Sequence, residues 1–346
     1  MSNCSEDVVA FHNDKVTLPQ PQRTAMRDRR NANRTRLVGR LKEKDQPTPY
    51  AFIKQGSYAM LTMVQDPEND YDIDDGVYFT QKSLKHDDGT DMSPTEAKQM
   101  VCRALEDDRF AKQPQVRKSC VRIFYNQGYH VDMPVYRIRT SDDQYELADD
   151  SGWVVSRAAD VEEWFDRENQ KSPDTDNGRQ FRRMVRNLKK FARSRKDWKA
   201  QIASGFIITK LASETYVGNK DREDLTLRDL MKRMCTRLYY SREVNHPITP
   251  LVKLTKGPAD STISFLCDKL LQALDDLAVL DNPLCSRKQA LNAWDKVFDT
   301  DYFSKRETEA ARSAIPAGPL LKPAAVGSGL SFPNQPVIPN KPAGYA

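Results

Sequence analysis

The run Asp72-Ile73-Asp74-Asp75-Gly76 constrains this chain more than any other stretch of it. In an extended strand alternate side chains share a face. Asp72 and Asp74 therefore project together, while Ile73 turns into the core behind them. Two carboxylates so close repel each other unless a cation sits between them. Ahead of the pair stands a glycine-serine turn, Gln55-Gly56-Ser57-Tyr58, from which Tyr58–Val64 can continue as a short helix opening at Ser57. A third carboxylate, Asp132, lies in the strand-like run His130-Val131-Asp132-Met133-Pro134-Val135-Tyr136. A phosphate cradle with three convergent aspartates is what two-metal nucleotidyl transfer needs. Magnesium accepts such oxygens and leaves room for a substrate phosphate.

The third ligand should come from a strand adjacent to the first two, and Asp132 suits that role. Val131, Met133 and Val135 face the other way and supply an apolar back. Lys118–Tyr125 and Tyr129–Ile138 read as a hairpin joined by Asn126-Gln127-Gly128. If the three-residue loop pairs Tyr125 with Tyr129, Arg122 falls opposite Asp132, sharing the site face and within reach of a substrate base or phosphate. An ordinary cross-strand ion pair is the plainer account of the same two residues. Asp75 faces away from Asp72 and Asp74, as a supporting or turn residue rather than a ligand, and Gly76 permits close backbone approach.

Composition narrows the partners. At 346 residues, with 30% charged and 38% hydrophobic, the chain has a soluble balance and length for two cores. No apolar run approaches the ~20 residues that cross a bilayer. Met1–Asp14 lacks a signal-peptide stretch, so a cytoplasmic protein is expected. The six cysteines form no Cys-x-x-Cys pair, which argues against zinc or a disulfide framework, and the four histidines are dispersed. The net charge of +5 is unevenly spread, with arginines crowding Arg23–Arg40 and a second basic cluster over Arg179–Lys199. Such clusters favour phosphate-bearing partners.

The fold expected is α+β. Residues 22–43 read as a long basic helix, and Asp70–Phe79 as a strand. Ser93-Pro94-Thr95-Glu96 is a capping box with proline at the first helical position, ahead of a helix carrying Ala97, Met100, Val101, Ala104 and Leu105. Tyr145–Ala148 and Trp153–Ser156 extend the sheet. Beyond Phe165 helical signals dominate: Phe181, Met184, Val185, Leu188, Phe191 and Ala192 form an apolar stripe, and Ser261–Leu280 and Ser286–Phe298 suggest two more helices. The divisions expected are a leader (1–20), a mixed-sheet core with an N-terminal spine helix (21–168), a helical domain completing the cleft (169–312) and a flexible tail (313–346). The tail holds seven of the chain's twenty prolines and no periodicity, so disorder is expected there.

Gln55-Gly56-Ser57, Asp72-Ile73-Asp74-Asp75-Gly76 and His130-Val131-Asp132-Met133-Pro134-Val135-Tyr136 together resemble the bacterial cGAS/DncV-like nucleotidyltransferases, over residues 20 to about 300. The resemblance implies a polymerase-β-like core and a helical C-terminal domain. It implies an enzyme that joins NTPs, ATP and GTP foremost, into cyclic di- or oligonucleotide messengers of anti-phage defence, releasing pyrophosphate. A linear dinucleotide triphosphate would form first and re-enter the same site for ring closure. On this reading Asp72, Asp74 and Asp132 are catalytic and bind two Mg2+ ions, with Mn2+ able to substitute. Gly56 and Ser57 hold the donor triphosphate, Gln55 beside them is nucleotide-binding, Arg122 lies near the bases, Ser156 contacts nucleotide, and Lys189 and Ser204 reach the donor phosphates. In some relatives a companion ubiquitin-like ligase joins the C-terminal small residue to targets, which makes Ala346 a candidate for conjugation.

Two other readings stand beside this one. A non-cyclising nucleotidyltransferase could extend an RNA end, although the chain has no separate RNA-binding module and no basic aromatic platform. A non-enzymatic nucleic-acid-binding protein would use the two basic clusters, but carboxylates lining a cleft repel a phosphate backbone when no metal is present. No membrane association and no stable nucleic-acid partner are expected.

Overall fold

The sheet is built around β2 (Asp72–Thr80), which is paired along both edges. β1 (Ala51–Gln55) runs antiparallel to it on one side and is joined to it through the single-turn helix α3 (Gly56–Ala59). On the other edge β5 (His130–Met133) and β6 (Val135–Ile138) pair with it in parallel. Pro134 separates those two, because it has no N–H to give the ladder, yet its carbonyl still accepts from Val77 N–H at 2.8 Å. β3 (Gln115–Val116) and β4 (Val121–Phe124) continue outward from β5, and β7 (Tyr145–Asp149) and β8 (Gly152–Val155) from β6. The sheet is mixed, as expected.

Alternation along β2 decides which face is which. Ile73, Val77 and Phe79 are buried in a core shared with α2 (Gln20–Glu43) and α4 (Pro94–Leu105). Asp75 points the same way, is 0% exposed, and is held in a fork by Arg34 of α2. α4 carries the capping box: Ser93 Oγ accepts from Glu96 N–H, and the Glu96 carboxylate accepts from Ser93 N–H.

A second core is helical. It gathers α5 (Ala158–Gln170), α6 (Gln180–Ala192), α7 (Gly205–Thr215), α8 (Glu223–Tyr240), α9 (Ser261–Asp276) and α10 (Arg287–Phe298). A two-stranded ribbon, β9 (Asp174–Thr175) and β10 (Gly178–Arg179), precedes α6. The stripe Phe181, Met184, Val185, Leu188, Phe191 and Ala192 is buried here. So are Val8 and Phe11 of α1 (Ser5–Phe11) and Val16 of the π-turn that follows it. Residues 5–16 thus pack with the helical half, although they precede the spine helix in sequence. Sequence periodicity did not single out α5, α7 or α8; α5 and α8 begin without a side-chain cap.

This computed structural model describes residues 2–313 except 67, 69–70, 126–127 and 176–177. Asp70, most of the Asn126-Gln127-Gly128 loop, and the tail from Ala314 with Ala346 lie outside the described residues. Met1–Glu307 is one unit; from Thr308 a second begins, of which α11 (Tyr302–Ser313) contributes the described backbone. Among the described residues no helix is long and apolar enough to cross a membrane.

Candidate active site

Strand register assembles the site as one row across four strands. Gln55 on β1 is paired with Asp74 on β2, Asp74 with Asp132 on β5, and Asp132 with Arg122 on β4. Paired residues share a face, so these four side chains stand in line. Asp72 lies two residues before Asp74 and points the same way. Each of Asp72, Asp74 and Asp132 offers an oxygen within 4.8 Å of the others'.

The electrostatics of this cluster are unfavourable without a cation. Burial, and then the neighbouring Asp72 and Asp132, push the Asp74 carboxyl up to about 7, with Arg122 pulling the other way. Arg122 grips Asp132 in a fork, Nε to Oδ1 at 2.7 Å and Nη2 to Oδ2 at 2.6 Å, and the same Nη2 is 3.7 Å from Asp72. Arg122 therefore contacts the carboxylate row itself. The donor set is three carboxylates, hard oxygen ligands that match Mg2+ or Mn2+ and not a thiophilic metal. The Asp74 carboxyl is raised first by burial and then by the two neighbouring carboxylates, so a cation bound among them would favour its ionised form.

The glycine-serine turn is shaped by this row. Gly56 has φ +61° and lies against Asp74: a Cβ there would stand 2.1 Å from Asp74 Oδ2. Gln55 is 6% exposed, and both ends of its amide are engaged. Its Nε2 donates to Tyr78 OH at 2.8 Å, and its Oε1 accepts from Tyr136 OH at 3.1 Å. The two tyrosine rings stack at 4.5 Å. Gly76 leaves room for this amide, since a Cβ there would come within 2.5 Å of Gln55 Nε2.

In front of the row opens a cleft of about 650 Å³. Gln55, Gly56, Ser57, Asp72, Asp74 and Ser156 line its sheet side, and Lys189, Ser204, Gly205, Phe206 and His246 its helical side. Arg122 and Asp132 are not among its lining residues. Lys189 donates from Nζ to Thr62 Oγ1 at 2.8 Å, and burial, then Arg193 and Arg186, draws its pKa down to about 7. A Cβ on Gly205 would meet Lys189 Cε at 3.2 Å, so glycine lets that side chain lie across the start of α7. Ser204 caps α7, its Oγ accepting from Ile207 N–H at 3.3 Å.

The rest of the α6 cation row has another task. Arg182 donates to the Met60 carbonyl at 3.2 Å, Arg186 to Leu61 at 2.8 Å and Lys190 to Gln65 at 3.0 Å. These side chains fasten the segment after the glycine-serine turn to the helical half. Thr62, Phe206 and His246 carried no signal in the sequence. Thr62 faces Lys189 only through folding, and His246 sits in an irregular loop.

Three converging carboxylates beside a cleft at the edge of a mixed sheet are an arrangement that metal-dependent nucleotidyl transfer can use. Residues 50–136 match the family model of the cyclic GMP-AMP synthase DncV-like nucleotidyltransferase domain. The fold is that of Vibrio cholerae DncV cyclic AMP-GMP synthase, with TM-score 0.70, 16% identity, and 87% of this chain and 97% of that one covered. It is also that of CdnC from E. coli MS115-1, solved with ATP, with TM-score 0.64, 16% identity, and 87% and 99% covered. CdnG of Bradyrhizobium diazoefficiens, solved with GTP, is similar too, with TM-score 0.64, 14% identity, and 90% and 99% covered. Residues 50–136 thus carry a DncV-like nucleotidyltransferase domain, and the fold around it is shared with these bacterial enzymes.

Proposed function

We propose that this enzyme joins NTPs into a cyclic di- or oligonucleotide, purine-containing and of the cGAMP type, as a messenger in anti-phage defence. The observation that carries this reading is the convergence of Asp72, Asp74 and Asp132 beside a cleft that Gly56, Ser57 and Lys189 also line. Asp72, Asp74 and Asp132 would hold two Mg2+ ions, with Mn2+ an adequate substitute. Bound there, the ions supply Lewis-acid activation of the α-phosphate and charge neutralisation for departing pyrophosphate.

The chain's own residues do the rest. Gly56 and Ser57 receive the donor triphosphate at the turn, and Lys189 and Ser204 meet it from the helical wall. Asp132, oriented by the Arg122 fork, takes the proton of the acceptor ribose hydroxyl. Ser156 contacts nucleotide from the end of β8. Gln55 acts through Tyr78 and Tyr136 to hold the turn. ATP and GTP are the favoured substrates: structures of relatives are described with ATP, with GTP and with the linear intermediate 5′ pppA(3′,5′)pG. Conjugation of Ala346 by a ubiquitin-like ligase belongs to the same reading, as does a cytoplasmic site of action.

The test is incubation with ATP, GTP and Mg2+, followed by phosphatase treatment and mass spectrometry. A phosphatase-resistant cyclic product is expected from the wild type and none from Asp74→Asn. A product that lengthens added RNA and stays phosphatase-sensitive would replace the cyclase with the non-cyclising alternative.

A further inference from the structure

His246 lines the helical side of the cleft, in the loop between α8 and α9. Its Nδ1 is fully occupied by its own loop. The backbone N–H groups of Ile248 and Thr249 donate to it at 3.3 and 3.2 Å, and the Thr249 hydroxyl lies 2.9 Å away. An atom that accepts two N–H bonds carries no proton of its own. The imidazole is therefore the neutral tautomer with its hydrogen on Nε2, and burial also disfavours the charged form. The loop is braced from both flanks: His246 N–H donates to the Val252 carbonyl at 2.8 Å and Leu254 N–H to Val244 at 2.8 Å. Among the described residues Nε2 has no hydrogen-bond partner. The imidazole sits 5.7 Å, centroid to centroid, from the ring of Phe206, which lines the same cleft.

We infer that His246 and Phe206 form a nucleobase subsite, in which Nε2–H donates to an acceptor atom on the base edge and Phe206 packs on its face. The inference rests on the nucleotide reading given above and extends it from the phosphates to the base. The chemistry follows from the two side chains. A ring nitrogen locked as a donor rewards an acceptor at one position and penalises a second donor placed there, because neither could then be satisfied. An aromatic face adds affinity for any base without choosing among them. Discrimination at this subsite therefore belongs to His246, and general affinity to Phe206.

Two substitutions separate this role from the integrity of the loop. His246→Asn places Oδ1 where Nδ1 accepts, so the turn is kept while the donor into the cleft is lost. His246→Gln keeps a donor at the reach of Nε2 and gives up the turn acceptor. The experiment is calorimetric titration of the full chain, with Mg2+, against tripolyphosphate and the four α,β-methylene ribonucleoside triphosphates. Wild-type protein should bind at least one of the nucleotides more tightly than tripolyphosphate. His246→Asn should weaken that nucleotide about tenfold and leave tripolyphosphate unchanged, while His246→Gln stays within about threefold of wild type. Base analogues with each acceptor in turn replaced by C–H repeat the test on unaltered protein, and one of them should lose about tenfold. Nucleotide affinity that no variant and no analogue changes overturns the subsite alone. Failure of tripolyphosphate and every nucleotide to bind overturns the nucleotide reading and the subsite with it.

Discussion

Gly56 and Asp74 touch so closely that no other residue can stand at position 56: a Cβ would lie 2.1 Å from Asp74 Oδ2, and the backbone is left-handed at φ +61°. The turn and the carboxylate therefore fix each other. Gly56→Ala should push Asp74 out of the row. A displacement of this size at a reacting centre costs on the order of 100-fold in rate, and the left-handed conformation costs a further ~1 kcal/mol in stability. Nucleotidyl transfer and thermal melting measured together check both. A variant with wild-type rate would show that the turn is not held by Asp74.

Asp74 sets a pH dependence. Its pKa of about 7 in the folded protein exceeds that of the unfolded chain, so the native state retains a proton that the unfolded state releases. The contribution of this group to stability is greatest below about pH 4 and declines as pH rises toward 7. Magnesium affinity should run the opposite way, climbing through pH 6–7 and levelling above, because a bound cation displaces the proton. In metal-free protein at pH 8, Asp74→Asn should raise Tm by on the order of 2 °C while abolishing Mg2+ binding. An unchanged or lowered Tm would contradict the repulsion argued here.

Lys189 is the converse case. Its pKa of about 7 lies below that of a free lysine, so at pH 8 the amine is largely neutral. Its stability contribution is least below pH 7 and grows as pH rises toward ~10.4. A triphosphate beside it would restore the charge and draw in a proton. At pH 8 and saturating Mg2+, binding of an α,β-methylene NTP should take up a substantial fraction of one proton. Titrations in Tris and in HEPES measure it through their different ionisation enthalpies. Lys189→Met should remove the uptake and weaken binding about tenfold.

The partly exposed Arg34 pairs with the fully buried Asp75 on the opposite face of β2 from the site. Removing Arg34 strands a carboxylate that is 0% exposed. Arg34→Met should cost about 3 kcal/mol in urea unfolding, and Arg34→Met with Asp75→Asn should recover much of it. Mg2+ affinity should persist in the double variant under native conditions. Its loss would mean that Asp75 contributes to the metal site after all.

These relationships divide into those visible in the chain and those that needed folding. Period-two alternation separates Asp72 and Asp74 from Ile73, and the hairpin arithmetic puts Arg122 opposite Asp132; both are local, and both appear in the register. The α6 stripe and the α4 capping box are local in the same sense. Other features had no local signal. Gln55 carries the look of a ligand contact, yet its amide is consumed by Tyr78 and Tyr136, which lie 23 and 81 residues away. Most of the α6 cations grip backbone carbonyls of 60–65, more than 120 residues earlier.

The sequence by itself determined the chemistry: which carboxylates alternate onto one face, where the glycine-serine turn stands, and which helix carries cations on one side and apolar residues on the other. Those are consequences of backbone periodicity, which each segment possesses alone. The tertiary structure decided how that chemistry is used. Only the parallel register of β5 on β2 brings Asp132 beside Asp74, and only packing of the helical half settles that Lys189 is buried against Thr62 while Arg186 is spent on a carbonyl. Burial and long-range pairing depend on which distant groups displace water from a side chain, and no window of sequence contains them.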